Sequence, residues 1–190
     1  MNNLRELNKN ETFPYLKNTN EMLECFPKDL KIFDVAKLKL SYAHPEAITN
    51  FHDIKLDFDN SLSVIFNLYG EISGHACAQV PDHLVSEDSI NREIFNSLFT
   101  EANNIVIGHF LSNLDENVML LSQMNSPMLF ESSQRESEGE KSKKVRILKL
   151  LEKTIQHHEV FRIGYDLVYE NKLIPFHILL IINFKMPKND

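Results

Sequence analysis

The period of hydrophobic and polar positions changes several times along the chain, and each change marks an element. Leu62–Tyr69 and Ile72–Val80 are strand-like runs that flank Gly70-Glu71. Glycine adopts the positive φ of a tight turn, so these runs predict an antiparallel hairpin. Ser73, Gly74, Ala76 and Ala78 keep its second strand small enough for another layer to approach. From about Ser89 to Leu114 the spacing turns helical, with Ile94, Leu98, Phe99, Ala102, Ile105 and Val106 assigned to one apolar face. Pro81, Asp82, Ser86 and Asp88 supply entry and capping chemistry ahead of that helix.

The remaining signals are shorter. Glu21–Phe26 predicts a brief helix stopped near Pro27, and Val35–Tyr42 and Ile54–Phe58 predict edge strands. Val118–Gln123 predicts another strand, resumed at Met128–Phe130 after Asn125-Ser126-Pro127. Residues 131–144 carry almost nothing apolar and predict a solvated loop. Val145, Ile147, Leu148, Leu151 and Ile155 then recur at helical spacing, predicting an amphipathic helix over 145–156. Phe161–Tyr169 and Leu173–Phe184 flank Glu170-Asn171-Lys172 as a terminal hairpin whose second strand is buried on both faces. The sum is an α+β fold, a single domain over 1–190, with an antiparallel sheet packed against long helices.

Composition excludes more than it selects. The 190 residues are 43% hydrophobic and 25% charged, enough for a core that needs no metal or disulfide. A formal net charge of −7 argues against nucleic acid as the main partner. Leu173–Phe184 is too short to span a bilayer and contains Pro175, His177 and Asn183, so no membrane partner is expected. Met1–Thr12 is polar, unlike a secretory leader, and the expected location is the cytoplasm. Cys25 and Cys77 read as buried, reduced thiols.

No metal site is expected. His157 and His158 diverge on a helix, and His75 and Cys77 share a strand face without further ligands. His109 falls nearer the apolar side and reads as structural. Lys141, Lys143, Lys144, Arg146, Lys149 and Lys153 read as solvated charge on the later helix.

The candidate chemistry lies on the long helix. At about 100° per residue, Ser97, Glu101, Asn104 and Gly108 fall within an arc of roughly 60°, opposite much of the apolar stripe. Glu101 and Asn104 are i,i+3 neighbours, and Gly108 leaves no side chain to block an approaching partner. The bland alternative is a solvated helix face on which Glu and Asn happen to meet.

Ser97-x3-Glu101-x2-Asn104, followed after 22 intervening residues by Pro127, resembles the active-site signature of the CheC/CheX/FliY chemotaxis phosphatases. The resemblance runs from about Ser61 to Pro127, because a small-residue hairpin precedes the helix and an Asn-Ser-Pro turn follows it. Ser89-x3-Glu93-x2-Asn96 repeats the first spacing, but Met119 stands where the proline belongs. Asn96 also projects roughly 80° from Asn104, so the upstream pair is a decoy, while Glu93 stays near the strip.

The resemblance implies a CheX-like domain that hydrolyses the aspartyl phosphate of a CheY-type response regulator. Asn104 is then expected to position water, and Glu101 to dock on the regulator's active-site lysine. Ser97, Gly108 and Glu93 would border the partner. Magnesium is expected in the regulator rather than on this chain, and a homodimer is compatible with the resemblance. The competing expectation is a noncatalytic module that binds a receiver domain or a flagellar switch component.

Overall fold

The computed structural model describes residues 19–46, 54, 56–85, 91–118, 121–132, 138–155 and 158–184. In chain order these form α1 (Thr19–Glu24), β1 (Asp29–Ile32), β2 (Ala36–Pro45), β3 (Ser61–Gly70), β4 (Ile72–Pro81), α2 (Asp82–Val85) and α3 (Arg92–Val118). There follow β5 (Ser122–Met124), β6 (Met128–Phe130), α4 (Glu138–Ile155), β7 (Glu159–Tyr169) and β8 (Lys172–Phe184). All strand pairs are antiparallel, in the order β1-β2-β7-β8-β4-β3-β5, with β6 also on β3.

Strand periodicity divides the sheet between two cores. On one face, Val64 and Phe66 of β3, Ala76 and Ala78 of β4, Ile163 and Tyr165 of β7, and Ile178 and Leu180 of β8 join Phe95, Phe99, Ala102, Val106 and Phe110 of α3. On the other, Ile65, Cys77, Val160, Leu179 and Ile181 meet Leu151 and Ile155 of α4 together with Phe58 and Phe130. β8 is thus covered on both sides over Ile178–Ile182, the most apolar part of its run. The α+β expectation holds.

The β3–β4 and β7–β8 hairpins lie where their runs place them. Gly70 turns at φ 118, whereas Glu170 and Asn171 take φ 48 and 61, the pair of positive φ values that a two-residue hairpin turn requires. Gly74 is needed for another reason: a Cβ there would lie 2.0 Å from the Ile181 carbonyl oxygen.

Several expectations are corrected. Among the described residues of 54–58 there is no strand; Ile54 and Phe58 are buried as single apolar anchors beside α4. β2 is not an edge strand, because β1, a short segment with Ile32 as its buried residue, pairs outside it. The loop expected at 131–144 yields at Glu138 to α4. Its polar composition reported exposure, not irregular backbone, since one helical face alone touches the sheet. Lys144 departs from the solvated charges around it: it is 5% exposed, and its Nζ donates to the Phe58 carbonyl at 2.7 Å and to Asp59 at 3.0 Å. Val145, placed on the apolar stripe from sequence, is 49% exposed. Ser86, Asp88, Met1–Thr12 and His157 lie outside the described residues.

Candidate functional site

The α3 helix begins at a cap that fixes its rotation. Asn91 Oδ1 accepts the Ile94 N–H at 3.2 Å, and the Asn91 carbonyl accepts the Phe95 N–H at 2.9 Å. Among the described residues the cap is therefore Asn91 rather than Pro81 or Asp82, and Ser86 and Asp88 lie outside them. Asp82 instead holds Arg92, at 2.5 Å from Nη2 to Oδ1, and so pins the first turn of α3 to α2. Below the cap, Phe95 and Phe99 lie nearly parallel at 5.9 Å, and Phe99 meets Phe176 of β8 edge-on at 5.1 Å. These rings hold one side of the helix on the sheet and leave the opposite side to solvent.

On that opposite side lie the expected residues. Glu93 and Ser97 are exposed, and Glu101, Asn104 and Gly108 are half-buried. Among the described residues, neither Glu101 nor Asn104 has a hydrogen-bonding or ionic side-chain partner. Their polar heads are available to another molecule. Ser97 is less free, because its hydroxyl donates to the Glu93 carbonyl at 3.0 Å and retains only acceptor capacity.

The other asparagines of this helix are committed internally. Asn96 is 8% exposed and donates through Nδ2 to Glu131 at 2.8 Å; Asn103 is fully buried and donates to the Phe99 carbonyl at 2.8 Å. The Glu93/Asn96 spacing therefore forms no second strip, as the projection predicts.

Gly108 marks where α3 approaches β5. A Cβ at that position would lie 3.7 Å from Met124 Cε, an ordinary contact. The turn beyond β5 is clasped to β3, since Asn67 N–H donates to Asn125 Oδ1 at 2.8 Å and Asn125 N–H to the Asn67 carbonyl at 3.1 Å. The segment leading to Pro127 is thereby fixed at its start beside the lower end of the strip. Gly108→Ala should be accommodated and, by removing helix-interior glycine, should raise stability by about 0.5–1 kcal/mol. Chemical denaturation checks this; a lowered midpoint would mean that α3 and β5 tolerate no methyl there.

Sequence reasoning missed two features. Ile94, assigned to the apolar face, is 55% exposed and stands on the strip side of α3. His109, read as structural, is exposed as well. The signal was present: at about 100° per residue Ile94 projects only about 20° from Glu101, whereas Phe95 falls among the buried rings.

The histidines below the sheet are structural. His75 is 8% exposed, its Nδ1 lies 2.9 Å from Asn67 Oδ1, and burial lowers its pKa to about 4, with His158 adding repulsion. His177 is lowered to about 4, chiefly by burial and then by Arg162, with Glu46 opposing. Cys77 is buried, which pushes its thiol far above the usual range, and Cys25 is buried too; both are free. No helix among the described residues is long and apolar enough to cross a membrane.

No protein-family model matches this sequence, and no curated protein matches it significantly. Solved structures do. Thermotoga maritima FliY aligns at TM-score 0.52 and 11% identity, covering 85% of this chain and 84% of that one. Desulfovibrio desulfuricans CheX aligns at TM-score 0.44 and 9% identity over 85% and 94% of the two chains. The CheX-CheY-BeF3-Mg complex from Borrelia burgdorferi gives TM-score 0.39 and 11% identity over 76% and 83%. The FliY alignment shows that this chain shares the fold of that protein.

Proposed function

We propose that this protein is a phosphatase acting on the aspartyl phosphate of a CheY-type receiver domain. The observation that carries the reading is the state of one side-chain pair: Glu101 and Asn104 stand together on the outer side of α3, half-exposed and unpartnered among the described residues. Asn96 and Asn103, on the same helix, are tied down. Of the residues that match the signature, Glu101 and Asn104 are left available for a partner.

The chemistry asks little of this chain. An acyl phosphate is already activated, and its receiver domain supplies magnesium and a lysine, so the helper must bring water in line with the scissile bond. The Asn104 carboxamide accepts a hydrogen bond from that water through Oδ1 and donates to a phosphoryl oxygen through Nδ2, without adding negative charge. Water attacks phosphorus, the P–O bond to the aspartate breaks, and the carboxylate leaves with the bonding pair. The water proton passes to phosphate or solvent. Inorganic phosphate and a free aspartate result, with no covalent intermediate on this chain.

Glu101, one turn earlier, pairs with the receiver's lysine and sets the docking register. Glu93 and Ser97 border the upper contact, and Gly108 leaves room below it. The test is phosphate release from phosphorylated receiver domains with wild-type protein and with the Asn104→Ala variant. Equal decay in both would leave this protein as a noncatalytic receiver-binding module.

A further inference from the structure

We infer that Ile94 is the apolar anchor by which the receiver domain is seated on α3, an inference that rests on the proposed function and adds to it the shape of the partner's contact surface. Ile94 is 55% exposed, the one large apolar side chain of α3 that is exposed among the described residues. Its backbone is fixed at the helix entry, where its N–H donates to Asn91 Oδ1 at 3.2 Å. Nothing about helix formation calls for it, since a β-branched residue at a solvent-facing helical position is a poorer helix former than alanine or leucine.

Its place relative to the polar pair gives the contact a definite footprint. Ile94 projects about 20° from Glu101 around the axis and about 80° from Asn104, and it lies about 10 Å above Glu101 along the helix. Ser97, between them, has its hydroxyl proton turned inward to the Glu93 carbonyl. The surface therefore reads, from the cap downward, as an apolar contact, a short hydroxyl step, an anion and a carboxamide. A receiver domain that fits it carries an exposed apolar patch displaced along the α3 axis from its active-site lysine by about two helical turns.

Charge supports the same occupant. Glu93 and Glu101 place carboxylates beside and below Ile94, so the complementary patch is apolar with a basic rim, and its lysine is the group that Glu101 meets. An apolar contact at one end and a charge pair at the other fix both position and rotation, which a single ion pair on a solvated helix does not.

The test uses the full chain and a panel of receiver domains loaded with beryllofluoride and magnesium. Ile94→Ala is expected to weaken binding about tenfold, as loss of a half-exposed aliphatic anchor does, and to raise KM for dephosphorylation about equally while kcat stays within about twofold of wild type. Ile94→Leu, which keeps volume and apolarity, restores binding. Asn104→Ala gives the opposite split, losing kcat while retaining affinity for the loaded receiver. Unchanged affinity in Ile94→Ala overturns the anchor and leaves the phosphatase reading standing. Failure of the wild-type chain to bind any loaded receiver overturns both. Thermal melts of both Ile94 variants confirm that the fold is intact.

Discussion

Replacing Asn104 by alanine is expected to slow phosphate release from a phosphorylated receiver by about 100-fold, with thermal stability unchanged within error. The magnitude follows from the role: a group that orients water for in-line attack contributes through positioning, where misplacement near the reacting atoms costs about two orders of magnitude. The side chain makes no internal hydrogen bond among the described residues, so its removal strands no buried partner. Alanine also suits a helix better than asparagine. Asn104→Asp should be impaired as well, because it keeps the size but exchanges an amide donor for an anion beside phosphate. Steady-state release measured at saturating and subsaturating receiver separates this loss of kcat from a docking defect. A variant that retains wild-type kcat would remove Asn104 from the mechanism.

What was legible beforehand follows a physical pattern. The β3–β4 and β7–β8 hairpins were readable because their runs are long, their turns carry glycine or asparagine, and their strands are central. β1 was not, since Asp29–Ile32 buries a single side chain, Ile32, and owes its pairing to β2 rather than to its own periodicity. Residues 54–58 erred in the opposite direction: Ile54 and Phe58 are apolar because a connecting segment anchors there, and their spacing imitates a strand. Lys144 shows that a charge run is read residue by residue, since its neighbours are solvated while it is buried against Phe58 and Asp59 in the segment before β3.

The candidate site was legible in its polar members and misread in its apolar one. Glu101 and Asn104 declare themselves by their spacing and by a projection opposite the rings. Ile94 was counted with the core because it is apolar, although the same projection puts it beside Glu101. Hydrophobic residues are not always inside, and what singles out Ile94 is its place beside Glu101 rather than its exposure alone. The internal ties of Asn96 and Asn103 appear only in three dimensions, where Glu131 and the Phe99 carbonyl come within reach.

Acid should destabilise this fold well before its carboxylates are exhausted. His75 and His177 sit on the sheet face away from α3, and both have pKa values lowered to about 4 from 6.5. A lowered histidine pKa means that the folded state prefers the neutral ring, so the unfolded chain binds more protons between these values. The stabilisation is therefore fully present above pH 6.5 and is lost as pH falls toward 4. At about pH 4.5 each histidine accounts for roughly 2–3 kcal/mol, and the two together approach the whole stability of a small domain. The groups that face them do little to relieve this: His158 adds repulsion at His75, and at His177 the repulsion from Arg162 outweighs the help from Glu46. Denaturant unfolding of wild-type and His75→Gln proteins at pH 7 and 4.5 checks the sign and the size. Glutamine keeps a polar contact with Asn67 without titrating, so its stability difference between the two pH values should be smaller by about 2–3 kcal/mol. Identical pH dependence in the two proteins would assign the acid sensitivity to other groups.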